Sequence, residues 1–243
     1  MFRNFILTFF LGVSLFGLGI AVTLALYPLP VLENLPLRKP LVGSIFGLIC
    51  VLGILAVVFP RSCSRIIGFK REKQQAPHVF YTAGNSKEKK LTLRGHHPEC
   101  KNFSAHVIQL GGKTFCAGCA GLILGGLAAS VGTLLYFFGN LHVGQNSLLL
   151  LWIGAAGVVL GLLQFPLFNI SWSSVRWFLN AFFALGAFLI LVGIDAITQS
   201  IFVDLFLVVL IVFWIFTRMA LSRWDHERIC NLCKVKACEF RGL

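Results

Sequence analysis

Six stretches of roughly twenty apolar residues recur along this chain, and they limit its possible folds more than any other feature. A helix needs about 20 such residues to cross the hydrocarbon of a bilayer. The candidate spans are residues 5–26, 41–59, 117–138, 148–168, 178–196 and 201–216. Strands of a membrane barrel would alternate polar and apolar residues over shorter runs, which these do not. Charged residues are 12% of the chain and hydrophobic ones 57%. A soluble domain carries about 25% charged residues. The composition therefore excludes a water-soluble globular domain and a disordered chain alike.

The first span follows a basic start and resembles a signal sequence in that respect. Its apolar run is about twice a usual signal core. Tyr27-Pro28-Leu29-Pro30 after it offers no small-residue cleavage site. It is expected to be a retained helix.

Orientation follows from charge. The chain has 21 Lys and Arg against 9 Asp and Glu, a net charge of +12. With the N-terminus in the cytoplasm, nineteen of the basic residues fall in cytoplasmic segments, and only Arg38 and Lys39 lie outside. The positive-inside rule selects that orientation. The expected fold class is thus an all-α integral protein of the cytoplasmic (plasma) membrane with about six transmembrane helices. Both termini are expected inside. Residues 1–60 hold the first two helices, 61–115 a basic cytoplasmic loop, 116–217 four more helices, and 218–243 a cytoplasmic Cys-rich tail. No nucleic-acid-binding signature accompanies the basic excess. Its expected partners are the bilayer, anionic headgroups and a membrane protein.

Gly43/Gly47, Gly121/Gly125 and Gly157/Gly161 are small-xxx-small pairs that let helices approach closely. Asn180 and Gln164 suit hydrogen bonding between helices. Asp195 and Asp204 flank the hairpin between the last two spans and are expected at the outer interface. No Lys, Arg, Glu or His falls in the middle of a span as drawn, which argues against a proton-coupled carrier.

Chemistry concentrates in the loop and the tail. The loop contains His97-x2-Cys100, then fifteen residues, then Cys116-x2-Cys119. Two-residue gaps let paired side chains face one ion, and the intervening stretch suits a hairpin turning at Gly111-Gly112. This is tetrahedral zinc spacing. His96 and His106 are alternative ligands to His97. A second reading treats Cys116 and Cys119, at a helix start, as a redox pair; a third treats them as packing thiols. The tail offers His226-x3-Cys230-x2-Cys233-x4-Cys238. Zinc is again the expected ion, with an iron–sulfur cluster the weaker choice. One or two ions are expected, because the two clusters share a membrane face and allow either separate sites or one shared centre. Cys50 and Cys63 read as packing or interface residues.

Cys116-Ala117-Gly118-Cys119-Ala120-Gly121, with Gly125, resembles the Cys-Ala-x-Cys-x-Gly element of a family of prokaryotic multi-pass membrane proteins, domain of unknown function 2085. There the element opens a membrane span after a Gly-containing hairpin, with a His- and Cys-bearing element upstream, as at His97, Pro98 and Phe103 here. The upstream Cys-His-Gln of that family is replaced by Gly95-His96-His97. The likeness covers residues 94–125 and implies topology rather than activity. His96-His97-Pro98-Glu99-Cys100 is similar, more distantly, to the DHHC palmitoyltransferases, whose Asp-His-His-Cys core it does not reproduce.

Two functions compete at this level. One is a structural or partner-binding membrane protein with closed zinc sites. The other is a membrane enzyme at the cytoplasmic headgroup level, acting on a lipid or acyl substrate through a metal or a cysteine. The latter needs a base near the metal, and Glu99, Asp225 and Glu227 are the candidates.

Overall fold

A computed structural model describes residues 2–28, 37–58, 93–94, 97–98, 106–110, 113–139, 141–166 and 172–232. Among these described residues are six helices long and apolar enough to cross a membrane. They are α1 (Phe2–Leu26), α2 (Arg38–Val58), α3 (Ala117–Thr133), α4 (Ser147–Leu163), α5 (Ser173–Thr198) and α6 (Ile201–Leu232). Two short antiparallel pairs lie between α2 and α3. These are β1 (Leu93–Arg94) with β2 (His97–Pro98), and β3 (Val107–Leu110) with β4 (Lys113–Cys116). Proline or glycine follows each of the first four helices: Pro28, Pro60, Gly139 and Pro166. The turn from α5 to α6 takes only Gln199 and Ser200, with Gln199 left-handed at φ 49°.

α5 is the hub. It packs on α3, α4 and α6, and its span is the most buried of the six. The close packing comes from glycine. A Cβ on Gly154 would lie 2.6 Å from the Gly186 carbonyl oxygen, so the α4 and α5 backbones touch there. Gly157 and Gly161 meet Phe182 and Phe183 of α5, and Gly121 and Gly125 meet the α5 backbone at Trp177 and Ala181. The small-residue pairs of α3 and α4 therefore serve contacts within the chain. In α2 only Gly43 does, against Phe137; Gly47 has nothing within 4 Å. α1 is seated by Ser14, whose hydroxyl donates to Thr217 Oγ1 at 3.0 Å and whose carbonyl accepts from Trp214 Nε1 at 3.1 Å. The outward faces of α1 and α2 remain apolar, with Phe5, Phe16, Leu48 and Leu52 exposed, as a lipid-facing surface requires.

The sixth helix departs from expectation. The apolar run stops near Phe216, but α6 continues to Leu232, and residues 201–232 contain neither Gly nor Pro to stop it. Its 32 residues span about 48 Å, well beyond the hydrocarbon. The first part of the expected tail is thus a helix. It makes Arg218 a buried residue within the bundle, where no basic residue was expected.

Polar side chains collect at the two ends of the bundle. At one, the Asp end, Arg38 Nη1 donates to Asp195 and to Asp204, and both carboxylates are fully buried. The Tyr136 hydroxyl donates to Asp195 Oδ2 at 2.7 Å from a π-helical turn, Leu134–Phe138, that prolongs α3. Lys39 Nζ lies 4.7 Å above the Tyr136 ring. The expected interfacial aspartates are therefore an enclosed ionic knot joining α2, α3, α5 and α6. At the other, the Cys end, stand Cys116, Cys119, Arg176, Arg218 and His226. Asp195 lies nineteen positions after Arg176 along α5, about 28 Å. That matches the roughly 30 Å of a bilayer's hydrocarbon.

Candidate functional site

Hairpin register builds the Cys end. Leu110 pairs with Lys113 across the two-residue gap, so Val107 pairs with Cys116. His106, one residue before Val107, is thereby delivered to the same end of the hairpin as Cys116. Cys116 has extended backbone angles (φ −68°, ψ 123°) and caps α3, which starts at Ala117. Cys119 then lies in the first helical turn, with its thiol beside that of Cys116. The extension of α6 brings His226 over the same place. The His106 and His226 rings meet edge to face with centroids 5.4 Å apart.

These four residues line one cavity of about 400 Å³ together with Arg176, Asn180, Arg218 and Arg223. His106 is buried, and its Nε2 lies 3.7 Å from Asp225 Oδ2. That is longer than a hydrogen bond. Asp225 is held by Arg176, whose Nη1 donates to Oδ2 at 3.0 Å. Arg218 is 8% exposed and sits beside both thiols. Its Nε donates to Asn180 Oδ1 at 2.8 Å, and its guanidinium lies 5.9 Å from the Phe165 ring centre. Asn180 and Gln164 exchange hydrogen bonds of 3.3 and 3.4 Å between α5 and the end of α4, as expected of an interhelical pair.

The sequence-derived ligands divide as follows. His106, Cys116, Cys119 and His226 come together around the cavity; two belong to the loop, one to α3 and one to α6. Cys230, one turn beyond His226, is half-buried but does not line it. His97 falls in β2, described in its backbone alone, and its neighbour His96 lies outside the described residues. So do Cys63, Glu99, Cys100, Cys233 and Cys238. Among the described residues, no three His, Cys, Asp or Glu side chains are close enough as they stand to grip one metal ion. The chemistry of the donors suits zinc: two thiols and two imidazoles are the ligand types of a tetrahedral site. What the structure supplies is two pairs, one of thiols and one of imidazoles, facing a common space.

Neither ligand spacing nor hydropathy singles out Arg176 and Arg218, although both belong to this site. The signal that could have found Arg218 is the unbroken helix-forming run after Phe216. Comparison of the chain with protein-family models, curated proteins and solved structures finds no match, so its resemblances rest on the quoted motifs alone.

Proposed function

We propose that this chain is a multi-pass protein of the cytoplasmic membrane whose Cys end faces the cytoplasm and carries a structural zinc centre. The observation that supports it is the convergence of Cys116, Cys119, His106 and His226 on one cavity. They come from segments far apart in sequence, so a shared ion would tie the α6 extension to the start of α3. Zinc would act there as a crosslink between loop and helix, with Asp225 placed to orient the imidazole of His106 in the manner of carboxylate partners of metal-bound histidines. The orientation is supported by the distribution of Lys and Arg. In this reading His226 serves a centre shared with the loop, and Cys230, Cys233 and Cys238 are dispensable for it.

The test is metal analysis of the purified full chain beside Cys119→Ser, His226→Ala and a chain ending at Leu232. The expected result is about one zinc per chain in the parent and in the shortened chain, and loss of that zinc in both point variants. Full zinc retention in Cys119→Ser would overturn the reading. Zinc lost from the shortened chain would place the ion in the tail instead.

A second reading, an enzyme acting on a lipid or acyl group, is favoured by one feature. The cavity borders an apolar slot in the bundle.

A further inference from the structure

That slot carries an inference that does not rest on the metal. It has a volume of about 470 Å³ and lies between the C-terminal half of α2 and the faces of α3, α5 and α6. Ile54, Leu122, Ala187 and Ile211 are among the residues that line it. It meets the polar cavity at Cys119, Arg218 and Met219, which line both. On α3 the slot runs from Cys119 to Ala129, ten residues or about 15 Å. That is half the hydrocarbon thickness, the depth of one leaflet. Its volume falls within the roughly 300–1,000 Å³ of ordinary ligand clefts.

The polar cavity has a consistent charge. Three arginines and two histidines line it, and no carboxylate does among the described residues. Arg176 is matched by Asp225 and Arg223 by Glu227. Arg218 differs from them. It donates to the neutral oxygen of Asn180, and no described carboxylate pairs with it. A cation enclosed at this depth is costly without an anion beside it. The place therefore joins a buried guanidinium, with no described carboxylate paired to it, to an apolar slot about as long as one leaflet is deep.

We propose that the Cys end binds one anionic phospholipid from the adjacent leaflet, its phosphate against Arg218 and one acyl chain in the slot beside α2. The length of the slot, and its opening onto the guanidinium at one end only, match an amphiphile rather than a free anion. Charge complementarity selects an anionic headgroup over a zwitterionic one.

The experiment is native mass spectrometry of the full-length chain released from nanodiscs, with phosphatidylglycerol and phosphatidylcholine in competition. The expected result is one retained phosphatidylglycerol, preferred at least tenfold, and undiminished by millimolar inorganic phosphate. Arg218→Gln should abolish the preference and Arg218→Lys should keep most of it. Gly126→Leu tests the slot from its wall. A Cβ there would stand 3.3 Å from Ile54 Cγ1, and the longer side chain would fill the apolar space. It should lower retention of both lipids at least fivefold without altering zinc content. Equal retention of the two lipids by the parent would overturn the proposal, as would displacement by phosphate or unchanged retention in Gly126→Leu. Zinc measured on the same samples keeps this separate from the metal reading: a chain without zinc that still retains one phosphatidylglycerol refutes the centre and upholds the lipid site.

Discussion

The Asp end and the Cys end of the bundle are built from similar materials and arranged to opposite effect. Both place arginine among buried polar groups at the edge of the hydrocarbon. At the Asp end Arg38 is shared by two fully buried carboxylates, Tyr136 closes over one of them, and Lys39 stacks on the tyrosine. At the Cys end Arg218 has an amide oxygen and two thiols for company, and a 400 Å³ cavity lies beside it. Charge at one end is used to hold helices together. At the other the Arg176–Asp225 pair also joins two helices, but Arg218, with no described carboxylate paired to it, faces a cavity. A bundle in lipid lacks a hydrophobic force between its helices, so it depends on packing and polar contacts for cohesion. Polar groups that do not contribute to that cohesion are the ones available to ligands.

The sharpest way to break this contrast is Arg38→Leu. It leaves Asp195 and Asp204 enclosed without their cation, and removing one partner of a buried ion pair costs about 3–5 kcal/mol. Thermal unfolding in detergent should show a larger loss for this variant than for Arg218→Gln or Ser14→Ala. Adding Asp195→Asn and Asp204→Asn should recover much of it, because the orphaned charges are then gone. An unchanged unfolding temperature for Arg38→Leu would mean that the knot contributes no cohesion.

Arg218→Gln is the matching change at the other end, and its expected cost is smaller, about 1.5–3 kcal/mol for the lost hydrogen bonding of a charged group to Asn180. No described carboxylate is abandoned by it, and Asn180 Oδ1 keeps the Gln164 amide at 3.4 Å. Comparable destabilisation by Arg218→Gln and Arg38→Leu would erase the distinction between a structural end and a ligand-binding end.

The sequence carried unequal amounts of this picture. The six spans were legible because apolar runs of bilayer length have few other uses. The glycine pairs of α3 and α4 and the Asn180–Gln164 contact were also readable, since their chemistry in lipid is narrow. The end of α6 was not. Hydropathy falls at Thr217 and Arg218, yet helix formation continues, because helix propensity and membrane burial are separate properties. Hydropathy alone thus places Arg218 in a solvated tail when it belongs to the bundle. The position of His106 beside Cys116 was recoverable in principle. A two-residue turn at Gly111-Gly112 fixes Leu110 opposite Lys113, and counting back puts Val107 opposite Cys116. Metal spacing points instead to His97. The pairing of Arg38 with Asp195 and Asp204 needed the third dimension, although the topology already set all three on one side.

The smallest expected effect sharpens the comparison from the side of α1. Ser14 and Thr217 form a buried hydrogen bond of 3.0 Å, one residue before Arg218 in sequence but in contact with a different helix. Hydrogen bonds between membrane helices contribute about 0.6 kcal/mol on average. After Ser14→Ala the Trp214 indole keeps its bond to the residue 14 carbonyl, and the Thr217 hydroxyl has a carbonyl one turn back within its own helix to turn to. The expected loss is therefore about 0.6 kcal/mol, read as a small shift in unfolding temperature. Zinc content and retained lipid should both stay at the parental level, because neither Ser14 nor Thr217 lines the cavity or the slot. A Ser14→Ala chain that loses lipid preference would instead couple α1 to the Cys end through α6, and the two faces of that helix would have to be treated as one unit.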